Sequence, residues 1–386
     1  MSLLGQLPEG PLAIIGDVHG EFDALIALLE HPDIGFGPIV RAWKHGREIR
    51  DLHKPERTLI FVGDLIDRGP DSPQVVSLVL DLMDAELALC IVGNHELNLV
   101  LGDNDRENRP GTGWFSGRSD DHFEHPTSGK EIPFDAVRAT PKERERFTER
   151  LDLLPVILER ADLSIVHACW DPDAIEAIRH LPEDTSVSEA FHRFEERLVN
   201  DPDYQRAMKL GAEEIAPYRE GLRSSKTSPP PAEHVRNYIE GKRLQQNGNP
   251  IKVLTSGLER AAREAPVFKE KWRLLERVRW WEEHDGPVVI VGHYWRTLGE
   301  HTEGPWKGVD PLSWLRGRVF CIDYSIGRSF RERVRPPADS SDALSLAAML
   351  WPAANHSSEG TTGPRLVFSN RPPLHTYGLV DPKKTV

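Results

Sequence analysis

The segment FVGDLIDRGP, residues 61–70, is the most informative part of the sequence for the fold. Its first residues are apolar and continue a run from Thr58 that is typical of a strand buried on both faces. Within the next few residues the chain places Asp64, Asp67 and Arg68. Charged side chains at the end of a buried strand need partners, because an unpaired charge away from water is costly. The end of this strand is therefore a candidate functional site.

Four other apolar runs end in the same way, at a Gly-Asp, Gly-Asn or His step. They are LAIIGDVHG (12–20), LALCIVGNHE (87–96), LSIVHACW (163–170) and PVVIVGHYW (287–295). Helical patterns, EFDALIALLEH (21–31) and SPQVVSLVLDLMDA (72–85), separate the first three runs. Strands that alternate with helices predict βαβ units and a mainly parallel sheet, whose ligands bind beyond the carboxyl ends of the strands.

The side chains that follow the five runs have the chemistry of metal ligands. They are Asp17, His19, Asp64, Asn94, His167 and His293. Mixed carboxylate, amide and imidazole donors favour manganese, iron or zinc over calcium or magnesium. Six ligands are too many for one catalytic ion with an open position, but they fit two ions roughly 3.5–4 Å apart that share a carboxylate. Asp64 is the predicted bridge.

Three neighbouring residues are predicted to act on the substrate. Arg68 offers a planar pair of donors to phosphate oxygens. His95 follows the ligand Asn94 directly and can face a leaving group, which a histidine protonates well when a carboxylate holds it. Asp67 is the predicted carboxylate.

The blocks GDVHG, GDLIDRG and GNHE, followed by His167 and His293, closely resemble the phosphoprotein phosphatase branch of the calcineurin-like metallophosphoesterases. The longer string DRGPDS is similar to a bacterial subgroup with symmetric diadenosine tetraphosphate hydrolases and the phosphatase part of polynucleotide kinase-phosphatases. This resemblance implies an α/β fold, a four-layer α/β/β/α sandwich, in which a metal-bridging hydroxide attacks a phosphoester.

The resemblance also implies individual roles. Asp17, His19 and Asp64 would hold one ion, and Asp64, Asn94, His167 and His293 the other. Arg68 and Asn94 would contact the substrate, and His95 with Asp67 would serve as the acid. The chain departs from its relatives at Cys169, Tyr294 and Trp295, and no motif identifies a second phosphate-binding arginine. Arg296 is the candidate.

The rest of the chain predicts the domain organisation. Residues 1–170 and 251–335 form the predicted core, 171–250 a helical insertion or cap, and 336–386 a C-terminal extension. The polar stretch 102–132 is equally compatible with a loop at the mouth of the site and with a surface excursion. The amphipathic pattern of residues 268–284 predicts a helix that faces the core.

Composition limits the location and the partners. The net charge is −13, which gives no reason to expect general nucleic-acid binding or attraction to an anionic membrane. Three cysteines without metal spacing favour free thiols in a reducing compartment. The N-terminus lacks the basic start of a signal peptide. These features predict a cytoplasmic protein without a membrane partner.

Three hypotheses about function follow. The first is a dinuclear enzyme, most simply with manganese, that hydrolyses phosphomonoesters in the manner of serine/threonine protein phosphatases; its substrate would be a phosphorylated protein, nucleotide or small molecule. The second is a symmetric dinucleoside polyphosphate hydrolase, suggested by DRGPDS. The third is a metal-bound scaffold or sensor whose insertion recognises a partner and whose catalysis is incidental.

Overall fold

The structure is a computed structural model that describes residues 2–102, 112–116, 122–124, 131–133, 136–223, 229–263, 267–268, 271–299, 306–329, 343–353, 364–376 and 379. The strands in these ranges are β1 (Leu4–Gln6), β2 (Leu12–Ile15), β3 (Thr58–Phe61), β4 (Ala88–Cys90), β5 (His122–Glu124), β6 (Glu131–Pro133), β7 (Ile157–Arg160), β8 (Leu163–Val166), β9 (Glu259–Ala261), β10 (Val267–Phe268), β11 (Lys271–Trp272), β12 (Leu275–Arg277), β13 (Val289–Val291), β14 (Val319–Cys321), β15 (Ala347–Trp351), β16 (Arg365–Phe368) and β17 (Leu374–His375).

The helices in the same ranges are α1 (Phe22–Glu30), α2 (Gly37–Lys44), α3 (Ser72–Asp84), α4 (Asn94–Val100), α5 (Gly113–Ser116), α6 (Pro141–Leu151), α7 (Pro172–Arg179), α8 (Val187–Val199), α9 (Pro202–Ile215), α10 (Arg219–Arg223), α11 (Arg236–Asn247) and α12 (Pro250–Ser256). None of the helices in the described part of the chain combines the length and the apolarity that a membrane span requires.

Two large mixed sheets form the centre of the fold. One has six strands in the order β17-β16-β15-β2-β3-β4, and the other has five in the order β1-β7-β8-β13-β14. The pairs β2–β3 and β3–β4 are parallel in the first sheet, and β8–β13 and β13–β14 are parallel in the second. The ends of five strands that precede the candidate ligands therefore meet at a common edge of the two sheets.

The strands are unbroken apolar runs because both of their faces are buried. Leu12 and Ile14 of β2 pack into a core that contains residues of both sheets, whereas Ala13 and Ile15 pack into the core that includes the flanking helices. In β13, Ile290 lies between the sheets and the two valines beside it lie on the helical side. This alternation confirms the predicted fold class of two stacked sheets with helices on their outer faces.

Helices cover each sheet on its outer side. α3 packs on β4 next to α1, and α12 packs on α7 and α8. The amide of Ala168 donates to the carbonyl of Leu254, which places α12 beside the end of β8. Within 171–250 the helices α9 and α11 pack so closely that a Cβ on Gly211 would lie 2.6 Å from the Cα of Tyr238. The helical content agrees with the predicted insertion, whose limits stay a prediction.

The prediction of a helix over residues 268–284 is wrong. The chain forms β11 and β12 there, and β12 pairs with β9 in antiparallel register. A 3-10 turn at Trp280–Glu282 follows. Trp272 and Leu274, two residues apart, are both buried, which is the period of a strand. Pairing with β9 overrides the helical pattern of this segment.

The predicted C-terminal extension is also incorrect for the part that the structure describes. β15 pairs with β2 along four positions, from Ala348 opposite Ile15 to Trp351 opposite Leu12, and β16 pairs with β15. Both strands are inner members of the six-stranded sheet. The run that contains β15 is rich in alanine and leucine, so no local pattern indicates a partner more than 300 residues earlier in the chain.

Candidate metal centre

The structure brings together all six of the predicted ligands. Asp17 Oδ2 lies 3.9 Å from His19 Nε2, which lies 3.6 Å from Asp64 Oδ2. On the other side of Asp64, Oδ1 lies 3.4 Å from His167 Nε2. The remaining two ligands meet each other, since Asn94 Oδ1 accepts from His293 Nδ1 at 2.8 Å. Because the strands end at one edge, residues far apart in sequence form one cluster.

Asp64 belongs to both halves of this cluster. Two groups of side chains have ligand atoms within 4.8 Å of one another: His19 with Asp64 and His95, and Asp64 with His167 and His293. The second group agrees with the predicted second ion site. The first group contains His95, whereas the predicted ligands of the first ion were Asp17, His19 and Asp64. A carboxylate common to both groups is what two adjacent cations require.

Backbone carbonyls orient two of the histidines. His19 Nδ1 lies 3.0 Å from the carbonyl of Ile66, and His167 Nδ1 lies 2.7 Å from that of Val62. A carbonyl can only accept, so Nδ1 carries a hydrogen in both rings, and Nε2 is the nitrogen that faces the cluster. Metal-binding histidines are usually fixed in this way.

Unpaired buried atoms support the same conclusion. His167 and Asp17 are at most 2% exposed. Within the described part of the chain, neither His167 Nε2 nor Asp17 Oδ1 has a hydrogen-bond partner. Buried polar atoms of this kind normally have partners, and those without them point to an ion or another ligand. The donor set and its orientation therefore fit divalent metal ions.

The electrostatics of the cluster favour positive charge. Burial alone would raise the pKa of Asp64, but His167 and His95 beside it keep that pKa well below its usual value. Burial disfavours a charged imidazole at His167, yet Asp64 raises the pKa of that ring to about 10. Burial, and then Asp323, raise the pKa of Asp17. A metal ion would compete with protons for these same atoms.

The backbone at the site is strained. His19, Asp64, Asp67, Arg68 and His293 all have φ between 49° and 71°, the left-handed region that side chains with a Cβ rarely adopt. Strain of this kind persists where the surroundings fix the residue, and it clusters at functional sites.

Glu96 fixes the Asp64 loop, a role that was not predicted from the sequence. Its side chain is fully buried and accepts the backbone N–H groups of Asp64 and Leu65, each at 2.8 Å, and of Gly93 at 2.9 Å. An acidic residue in the first turn of a helix is an N-terminal signal that could have identified it. Glu96 therefore holds the loop that carries Asp64, the predicted bridge.

Arg68, His95 and Asp67 form a second layer above the predicted ligands. Arg68 Nη1 lies 2.9 Å from His19 Nε2, and Nη2 lies 3.1 Å from His95 Nε2. His95 Nδ1 lies 2.6 Å from Asp67 Oδ2, so the predicted pairing of these residues is present. The Arg68 guanidinium also stacks on the Trp295 ring at 4.1 Å from its centroid.

Arg296 does not reach this layer, contrary to the prediction that it contacts the substrate. Its side chain is fully buried, and its guanidinium donates to the carbonyls of Cys321, Asp310 and Ser313. Arg296 follows the predicted ligand His293 by three residues in sequence, but the packing that buries its side chain cannot be read from the sequence. Arg296 is a structural residue.

Replacing Arg296 by lysine should therefore lower stability and leave phosphate binding unchanged. An ammonium group cannot bind three separated carbonyls with the geometry of a guanidinium, and we expect a loss of about 3 kcal/mol in the free energy of unfolding. Urea unfolding measures that loss, and competitive inhibition by inorganic phosphate measures binding. If stability were unchanged and the inhibition constant of phosphate were larger, Arg296 would have to be assigned to the substrate site.

Comparison with known proteins agrees with this geometry. Residues 10–204, half of the chain, match the calcineurin-like phosphoesterase family. A bis(5'-nucleosyl)-tetraphosphatase PrpE, described as asymmetrical, from Oceanobacillus iheyensis is 41% identical over 85 residues, which are 21% of this chain and 29% of the relative. Its namesake from a Geobacillus species is 32% identical over 162 residues, 40% of this chain and 56% of the relative. The chain thus spans less than two thirds of these relatives.

Among solved structures, a putative diadenosine tetraphosphatase overlaps 98% of this chain and 99% of its own, with 14% identity and a TM-score of 0.36. Values this low support no inference about function. The family match covers the strands that deliver Asp17, Asp64, Asn94 and His167 to the cluster. The chain belongs to the calcineurin-like phosphoesterase family.

Proposed function

We propose that the protein hydrolyses phosphomonoesters at a dinuclear metal site in the manner of a serine/threonine protein phosphatase. The observation that carries this proposal is the place of Asp64 between two groups of ligand atoms. Asp17, His19 and Asp64 would hold one ion, and Asp64, Asn94, His167 and His293 the other. When bound, two such ions make hydroxide available at neutral pH and neutralise phosphoryl oxygens.

The residues above the ligands supply orientation and a proton. Arg68 presents two nitrogens on the same side as the Nε2 atoms of His19 and His95, where it can hold phosphate oxygens, and Asn94 is the second proposed contact. Asp67 accepts from His95 Nδ1. His95 Nε2 is then the nitrogen that can pass a proton to the departing oxygen.

A direct test uses metal-stripped protein with added manganese. We expect hydrolysis of an aryl phosphate and of a phosphoserine peptide, and none of either without a divalent ion. Manganese is the proposed native metal, with iron and zinc as alternatives, and a relative from Saccharomyces cerevisiae that is 33% identical over 87 residues is named a zinc-dependent endopolyphosphatase. Failure to hydrolyse any phosphoester with any of the three metals would refute the proposal.

A second candidate function is cleavage of dinucleoside polyphosphates. It is supported by the names of the tetraphosphatase relatives. Chromatography of products from diadenosine tetraphosphate distinguishes the possibilities. Two molecules of ADP indicate a symmetric cut, as the sequence suggested, and ATP with AMP indicates an asymmetric one. The loss of a metal ligand would have favoured the scaffold hypothesis, but all six of the predicted ligands are present.

Trp295 should affect how tightly phosphate is held. Its ring covers the Arg68 guanidinium, and a contact of this kind contributes about 0.5–2 kcal/mol. Replacing Trp295 by leucine should weaken competitive inhibition by inorganic phosphate by roughly threefold to thirtyfold. Replacement by phenylalanine, which keeps an aromatic face, should have a smaller effect. An unchanged inhibition constant in the leucine variant would exclude this role.

We also propose a cytoplasmic location. The three cysteines, Cys90, Cys169 and Cys321, are buried free thiols, and burial raises the pKa of each. Inert thiols are compatible with a reducing compartment. Fractionation of cells that express a tagged chain would test this location.

A further inference from the structure

A tryptophan from the polar stretch 102–132 reaches the candidate site. Trp114 lies in the short helix α5 and is 1% exposed. Its indole N–H donates to Asp67 Oδ1 at 2.8 Å. The other oxygen of the same carboxylate, Oδ2, lies 2.6 Å from His95 Nδ1. The Asp67 carboxylate thus joins the indole to the proposed acid.

From this chain of contacts we propose that Trp114 is a positioning residue, which fixes the Asp67 carboxylate so that His95 is aimed at the leaving group. The inference rests on the proposed function, because it gives Trp114 a part in the proton transfer assigned to His95. It assigns to part of the stretch 102–132 a specific task at the site.

The surroundings of the indole are suited to this task. Its ring packs on that of the fully buried Phe147 in α6, with 6.5 Å between centroids. The carbonyl of Trp114 accepts from the amide of Ala139, and the amide of Val137 donates to the carbonyl of Pro70, three residues after Asp67. The segment that carries the indole is therefore attached to the loop that carries the carboxylate.

Asp67 itself needs support from outside its own loop. Its backbone is left-handed, with φ of 71°, and its amide donates to Ser72 Oγ at 2.9 Å. These contacts fix the main chain but not the rotation of the carboxylate. A donor on Oδ1 determines which oxygen faces His95, and a rigid neighbouring group of this kind holds a catalytic side chain in productive geometry.

The test replaces Trp114 by phenylalanine, which keeps an aromatic ring and removes the N–H. A general acid matters for a leaving group that departs poorly and little for one that departs without a proton. We expect kcat to fall about tenfold for phenyl phosphate and to change less than about twofold for 2,4-dinitrophenyl phosphate. The matched control is Trp314→Phe, because Trp314 is also buried and donates to Thr376 Oγ1 at 3.1 Å, away from the site.

A second readout does not depend on activity. In protein labelled with 15N at tryptophan, the indole signal that is missing from Trp114→Phe identifies Trp114. In Asp67→Ala, this signal should shift and exchange faster with solvent, whereas the Trp314 indole should not change. If Asp67→Ala leaves the Trp114 signal unchanged, the hydrogen bond does not form in solution and the proposal is wrong.

The outcomes separate this inference from the proposed function. Equal losses on both substrates in Trp114→Phe would show a general structural effect and would overturn the positioning role. If the wild-type protein hydrolyses neither substrate, the proposed function fails and the positioning role fails with it, while the indole signal still reports on the contact. A loss confined to phenyl phosphate, with unchanged metal content, supports the inference.

Discussion

Replacement of Asp64 by asparagine is expected to lower kcat/KM for aryl phosphates by about a thousandfold or more, since several kcal/mol of transition-state stabilisation depend on the metal ions. Asp64 is the residue common to both groups of ligand atoms. The amide keeps the size of the side chain but removes the charge that balances two cations. Metal analysis of the variant should show at least one ion fewer per chain than in the wild-type protein.

The control for this variant is Asp201→Asn. Asp201 caps α9 by accepting from the amide of Tyr204 at 2.8 Å, and it lies in the helical part of the chain. Asparagine caps helices as well as aspartate does, so neither activity nor stability should change. Wild-type turnover and metal content in Asp64→Asn would contradict the assignment of Asp64 as the bridge.

Replacement of Gly292 by alanine should displace the Asp17 carboxylate and so weaken metal binding. A Cβ at this position would lie 2.0 Å from Asp17 Oδ1 and 3.0 Å from a methyl group of Val62. Asp17 cannot simply turn away, because its Oδ2 accepts from the amide of His293 at 3.0 Å. The carboxylate must therefore move away from the position in which it faces His19, and the ion that Asp17 helps to hold should bind more weakly.

We expect the metal affinity of Gly292→Ala to fall roughly tenfold to a hundredfold, a range found when groups that orient ligands are disturbed. Calorimetric titration of metal-stripped protein measures this effect, and thermal unfolding shows whether the variant still folds. Gly10→Ala is the matched control, because a Cβ there would contact nothing within 4 Å. A folded Gly292→Ala protein with wild-type affinity would exclude Asp17 from the ligand set.

The sequence predicted the cluster well because each ligand is marked by local signals. Asp17, Asp64 and Asn94 each follow an apolar run and a glycine, and parallel strands bring such ends together whatever lies between them. The pairing of Asp67 with His95 was also predicted, since both flank ligands. The apolar runs alone predicted βαβ units and a mainly parallel sheet, and the sandwich of two sheets followed from the resemblance of the motifs to the calcineurin-like metallophosphoesterases.

The features that the sequence did not predict depend on distant contacts. β15 pairs with β2, from which most of the chain separates it, and neither strand has a sequence pattern that predicts this pairing. The buried guanidinium of Arg296 is held by carbonyls of Cys321 in β14 and of Asp310, both distant from it in sequence. Trp114 lies in a stretch whose composition resembles a surface loop, and its contact with Asp67 becomes visible only in three dimensions.

The most direct test of the account is the number and position of metal ions in crystals of the manganese-loaded protein, measured by anomalous scattering. We expect two peaks roughly 3.5–4 Å apart, each with a carboxylate oxygen of Asp64 as a ligand. Peaks that lie away from Asp64, or a single peak that leaves His19 or His167 without a metal in a fully loaded crystal, would contradict it.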